Sequence, residues 1–165
     1  MYDQPKYEAH ETTVMFDNGL SNRAPIAGTV ARGQLRLDTH YYDGKVGGEL
    51  ATTLPVAVTR ELLERGQERF NIFCSPCHDR TGSGNGMIVQ RGLKRPPSYH
   101  EDRLREVAIG HFFDVMTNGF GAMYSYASRV PVRDRWAIAA YVRALQLSQR
   151  VDYDQLPPED QRQLP

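Results

Sequence analysis

The chain has 165 residues, 40% hydrophobic and 24% charged, enough for one domain of ordinary size plus some further segment. Lys plus Arg (20) balances Asp plus Glu (20), and the zero net charge lacks the basic excess with which proteins hold nucleic acid. No apolar run approaches the roughly 20 residues that cross a bilayer, and the N-terminus MYDQPKYEAH lacks the basic start and apolar centre of a secretory signal.

Residues 1–55 are rich in Gly, Pro, Asp, Asn and Thr, and SNRAPIAG (21–28) and YYDGKVGGE (41–49) carry turn signals without a sustained apolar period. This composition predicts an extended, largely irregular N-terminal arm with at most short strands. The character changes at LPVAVTRELLERGQERFNIFC (54–74). Thr59 is placed to cap a helix, Glu61 faces the positive end of its dipole, and Leu62, Leu63, Gly66, Phe70 and Phe73 recur at helical spacing. A mid-helix glycine costs about 1 kcal/mol relative to alanine, a cost that close approach by another helix would offset.

A loop-rich stretch (79–100) follows, then EDRLREVAIGHFFDVMTNG (101–119), which reads as one helix with Leu104, Val107, Phe112, Val115 and Met116 on one side. After the loop FGAMYSYASRVP (120–131), VRDRWAIAAYVRALQL (132–147) is the clearest helix, with Trp136, Ala140, Tyr141 and Leu145 near one face. The acidic, Pro-containing tail (151–165) reads as loose. The predicted organisation is an arm (1–55), a mainly α domain (56–150) and the tail. Long loops in a small domain are unusual unless something else fills the space.

The stretch FNIFCSPCHDRTG (70–82) holds the only two cysteines, three apart, with His78 directly after the second. A Cys-x-x-Cys-His segment is a c-type haem attachment pattern. Two thiols add across two vinyl groups of one porphyrin edge, and the next residue lies under the iron, where a neutral imidazole coordinates. The rivals fit less well. A redox dithiol needs a βαβ setting, which is absent around residues 74–77. A zinc site needs two further ligands; His100 and His111 are available, but their spacing fits no common pattern. A disulfide across two residues would constrain almost nothing. GSGNG (82–86) has no preceding strand and no following Lys-Ser/Thr, so it reads as a tight turn rather than a phosphate loop.

The iron needs a sixth ligand or an open site, and the candidate ligands are Met87, Met116, Met123, His100 and His111. Met123 is favoured, because it lies in a loop of small residues (NGFGAMYSYA) that allow close approach to a flat ring, whereas Met116 falls on a helical apolar face as core. The second ring nitrogen of His78 is expected to bond a carbonyl in the Arg95-Pro96-Pro97 segment. Arg91, Arg95, Tyr124 and Tyr126 are the candidates to meet the haem propionates.

CSPCH, Met123 and RWAIAAYVRALQ (135–146) together resemble class I cytochrome c, over residues 58–149. That resemblance implies terminal helices crossing at right angles. It also implies a glycine and an aromatic on the first helix (Gly66, Phe70) packed against an aromatic on the last (Tyr141). MYDQPKYE (1–8), GTVARG (28–33), NGMIVQRG (85–92), PPSYH (96–100) and AMYSYAS (122–128) further resemble the mono-haem cytochrome c subunit of alternative complex III, a bacterial quinol:electron-acceptor oxidoreductase. This narrower resemblance implies export to the periplasmic face of the cytoplasmic membrane and association with the membrane through partners or an N-terminal lipid. The chain starts with Met1 and shows no such cysteine or signal; either it is a processed or trimmed form or the anchor is absent, and the former is expected because haem attachment to Cys74 and Cys77 implies export.

The expected function is therefore electron transfer, not catalysis by the chain itself. One covalently attached haem c, held by Cys74, Cys77, His78 and Met123, would pass electrons from partner subunits, a multi-haem cytochrome c among them, to a downstream cytochrome c or terminal oxidase. With both axial positions filled the iron can only change oxidation state. The competing expectation is a haem enzyme or gas sensor whose sixth site is open or labile, with Tyr124 or His111 on the distal side. A free-standing shuttle shares the chemistry but leaves the arm without a purpose.

Overall fold

A computed structural model describes residues 4–162. The first three residues of the expected arm and the last three of the tail lie outside the described residues. The chain divides into two compact units, residues 1–36 and residues 37–165.

Residues 4–36 contain no helix and no extended strand. A single bridge, Thr12 to Leu20, closes a loop in which Thr13 N–H donates to Gly19 O (3.0 Å) and the Arg23 guanidinium sits 4.1 Å over the Phe16 ring. Val14, Met15 and Ile26 are exposed.

The second unit begins earlier than the composition suggests. Asp38 caps a short helix, α1 (Thr39–Asp43), by accepting from Tyr41 N–H, and Gly44 ends it at a left-handed φ of 70°. A two-stranded antiparallel hairpin follows, β1 (Lys45–Val46) and β2 (Glu49–Leu50). The sequence reading divides the chain at residue 55, whereas the compact unit starts at Leu37. The reason is packing. Trp136 Nε1–H donates to Tyr41 O (2.8 Å), and Ala51 is buried, its N–H on Gly44 O and its carbonyl accepting from Gly110 N–H (2.8 Å). At Gly110 a Cβ would stand 2.6 Å from Ala51 N.

Helix α2 (Arg60–Phe73) starts as its sequence predicts, with Thr59 Oγ1 accepting from Leu62 N–H. It buries Leu62, Gly66 and Phe70 against α6 (Val132–Ser148). Their contact is close: a Cβ on Gly66 would lie 2.7 Å from the Ala137 carbonyl carbon and 2.9 Å from Tyr141 Cβ. Phe70 meets Tyr141 edge-on at 5.4 Å. α6 is buried on nearly every side from Asp134 to Ala140, so the single apolar face expected of it is too narrow a description.

The helix expected over 101–119 is two helices, α4 (Asp102–Glu106) and α5 (Ile109–Asn118), with extended backbone at Val107 and Ala108. The break is stabilised from α6. The Arg143 guanidinium donates to the carbonyls of Arg105 (2.9 Å) and Val107, and Gln146 Nε2 donates to those of Leu104 (3.2 Å) and Tyr99 (2.7 Å). These donors take carbonyls that a broken helix leaves open. The core joins Phe70, Phe112, Phe113, Met116 and Trp136, with Phe113 stacked on Trp136 at 4.3 Å. The tail, expected to be loose, forms a 3-10 turn (Tyr153–Gln155) and a short helix, α7 (Pro158–Gln161), tied by Tyr153 O–H donating to Gln161 O.

Candidate haem-binding site

Cys74 ends α2, and one further turn, α3 (Ser75–His78), begins there with Pro76 near its start, where a fixed φ is already helical. His78 N–H donates to Cys74 O (2.9 Å). In this turn Cys74, Cys77 and His78 stand at i, i+3 and i+4, which puts them on one face. Both thiols are free. Burial pushes the Cys74 thiol up to about 12, with the neighbouring Cys77 adding to the effect. The same thiols add to a rise in the Tyr99 and Tyr126 phenols that burial dominates, and both rings pack against the core that Cys74 also meets.

The glycine loop lies against this turn. Gly84 N–H donates to His78 O (2.9 Å), Gly86 N–H to Cys77 O (3.0 Å) and Ile88 N–H to Pro76 O (3.0 Å). A Cβ on Gly86 would stand 2.6 Å from Cys77 C, and one on Gly84 would collide with Pro96 O. The run GSGNG is thus a turn that lets backbone approach backbone, as its sequence setting predicts.

Met123 is half-buried against the hydrophobic core to which Phe73, Cys74, Tyr99 and Tyr126 also pack. Its loop is shaped by glycine and pinned to α5. Phe120 and Met123 exchange backbone hydrogen bonds (2.9 Å each) around Gly121-Ala122, Gly119 adopts φ 81°, and Tyr126 N–H donates to Met116 O (2.8 Å). Met116 is buried core, and Met87 is exposed. His100 donates through Nε2 to Thr81 O (2.7 Å), and His111 is half-buried on α5.

These residues fit a covalently attached haem. Burial lowers the His78 pKa from 6.5 to about 4, so the imidazole is neutral near pH 7, the form that binds metal. Among the described residues no three His, Cys, Asp or Glu side chains converge as a metal-ion site. One expectation needs correction. His78 Nδ1 is buried and makes no hydrogen bond, so none runs to a carbonyl of Arg95, Pro96 or Pro97; Pro96 O lies instead where a Cβ on Gly84 would collide with it.

Of the residues offered for the propionates, Tyr126 packs against the same core as Cys74, Tyr124 is 85% exposed, Arg91 is exposed and Arg95 donates to Ser83 O (3.0 Å). Sequence reasoning missed Tyr99, whose ring stacks on His78 at 4.7 Å and 13°, and Asp79, whose carboxylate gathers the loop after the motif. An aromatic in Pro-Pro-Ser-Tyr (96–99), and the turn-forming run Asp-Arg-Thr-Gly-Ser (79–83), were the available signals.

Among known families, residues 61–142 match the one described as cytochrome C oxidase, cbb3-type, subunit III. No curated protein matches the chain. The matched span runs from the first turn of α2 through CSPCH and the Met123 loop into α6, so that residues 61–142 form a mono-haem class I cytochrome c domain, a haem-based electron-transfer module with covalently bound haem c.

Proposed function

We propose that the chain is the mono-haem cytochrome c subunit of a membrane quinol:electron-acceptor oxidoreductase of the alternative complex III type. Cys74 and Cys77 are assigned the thioether bonds, His78 the proximal ligand and Met123 the distal one. The observation that carries this is the single helical turn Cys74–His78, packed with the Met123 loop against one hydrophobic core. Haem c supplies a one-electron iron couple. The chain's part is to hold a neutral imidazole, offer a thioether and bury both beside Tyr99 and Tyr126, conditions that favour the reduced form.

Residues 4–36 support a role inside a complex. They build no core of their own and leave Val14, Met15 and Ile26 exposed, surface that a partner subunit would cover. On this reading the partners include a multi-haem cytochrome c and a downstream cytochrome c or terminal oxidase. The site is the periplasmic face of the cytoplasmic membrane, reached through partners or an N-terminal lipid. None of the helices in the described residues is long and apolar enough to cross a membrane.

The test is to extract native membranes gently and follow the chain on a sizing column. Co-migration with quinol-oxidising activity is expected. Elution as a free protein of about its own mass would contradict the subunit reading while leaving the haem chemistry intact.

A further inference from the structure

The loop that carries Met123 runs from the end of α5 to the start of α6, and both of its legs are tied down. On the first leg Gly119 turns the chain at φ 81°, where a Cβ would stand 2.6 Å from Met123 O. Ser125 Oγ–H then donates to Thr117 O (2.5 Å) and Tyr126 N–H to Met116 O (2.8 Å), while Ser125 Oγ accepts from Ala127 N–H (3.2 Å).

The second leg ends at Val130, which is buried. Its carbonyl accepts from Arg135 Nε–H (3.2 Å), and the same guanidinium donates through Nη1 to Thr117 Oγ1. Thr117 Oγ1–H donates onward to Phe113 O (2.7 Å), and Arg135 lies 4.8 Å over the Phe113 ring. Thr117 therefore joins the two legs: its carbonyl takes Ser125, and its hydroxyl meets the guanidinium that reaches Val130.

Arg135 is only 4% exposed. A cation is costly to bury, and an apolar side chain would fill the same space at less cost. What the guanidinium offers is a rigid planar fork, which holds two acceptors at a fixed separation. Here those acceptors stand at opposite ends of the Met123 loop.

We propose that Arg135 and Ser125 are positioning residues for Met123: through Thr117 they fasten both legs of the loop 119–130 to the end of α5, so that the thioether keeps its place against an outside ligand. The inference rests on the assignment of Met123 as the distal ligand.

The test uses the reduced holoprotein and the rate at which carbon monoxide binds, which follows the fraction of molecules whose Met123 loop has swung away. Loss of one hydrogen bond should raise that fraction, and the rate in Ser125→Ala, about tenfold. Arg135→Lys, which keeps the charge but not the fork, should raise it at least as much. Thr59→Ala, which uncaps α2 and leaves the loop alone, should weaken the fold in denaturant without moving the rate. An unmoved rate in Ser125→Ala or Arg135→Lys, or an equal rise in Thr59→Ala, overturns the proposal. If Arg135→Lys yields no holoprotein, Thr117→Val decides the Arg135 step by removing the hydroxyl that the guanidinium meets, and an unmoved rate there counts against it. Failure of the ligand assignment shows differently: carbon monoxide would bind the unmutated protein readily, and Met123→Ala would not raise the rate.

Discussion

Gly66 and Ala137 bring α2 and α6 within backbone contact, so near that a Cβ on residue 66 would lie 2.7 Å from the Ala137 carbonyl carbon. No rotamer change relieves this, because the obstacle is main chain. Phe70 and Tyr141 then close the crossing one turn on. The crossing sets where α2 ends, and with it where Cys74, Cys77 and His78 fall.

Gly66→Ala should therefore destabilise the protein although alanine is the better helix former. Overpacking costs about 1–3 kcal/mol and outweighs the propensity gain of about 1 kcal/mol. Denaturant unfolding of the holoprotein gives the sign, and a more stable variant would show that the helices separate at little cost.

Residues 37–55 belong energetically with the haem domain. A chain begun at Leu37 should unfold at nearly the denaturant concentration of the full chain. One begun at Val56 should be far less stable, since it loses the acceptor of Trp136 Nε1–H and uncovers Phe113 and Gly110. Equal midpoints for the two truncations would contradict this boundary.

Much of the haem domain was legible in the sequence because local chemistry determines it. Thr59 caps α2 where expected, Met116 is core, and the mid-helix glycine meets the partner helix that its cost implied. What was not legible depends on distant residues. The break at Val107 relies on Arg143 and Gln146, some forty positions on. The membership of residues 37–50 relies on Trp136, and nothing near Tyr41 announces it. At the site, CSPCH was plain, but the stacking of Tyr99 on His78 arises from loop carbonyls at 81–83, which no periodicity reveals.

The ion pairs differ sharply in expected value. Asp134 is nearly buried and takes Arg65 in two-point fashion, Nε to Oδ1 at 3.0 Å and Nη2 to Oδ2 at 2.8 Å, with Arg69 also near. Asp134→Ala should cost about 1–2 kcal/mol, because it removes the two-point acceptor of Arg65 and leaves Arg69 only its 3.8 Å contact with Glu68. Glu64→Ala, which removes the exposed pair with Arg60, should leave stability nearly unchanged. Equal effects in denaturant unfolding would refute this ranking.

His111 gives the fold a pH dependence of definite sign. Burial, then the nearby Arg103 guanidinium, lower its pKa from 6.5; Asp114 opposes them, and Arg143 adds the least. The unfolded chain thus takes a proton before the folded one, so this contribution to stability is complete above about pH 6.5 and is lost as pH falls below it. His111→Asn should flatten the stability profile between pH 7 and 5, where carboxylates remain ionised. A profile with the same slope in both proteins would contradict the assignment.

If His78 and Met123 fill both axial positions of one haem c, absorption spectra of the oxidised and reduced protein, with carbon monoxide added to the reduced form, will show it. The oxidised protein should carry a weak long-wavelength methionine–iron band, carbon monoxide should leave the reduced spectrum unchanged, and Met123→Ala should lose the band. Ready binding of carbon monoxide by the unmutated protein would contradict it and point to an open or labile sixth site.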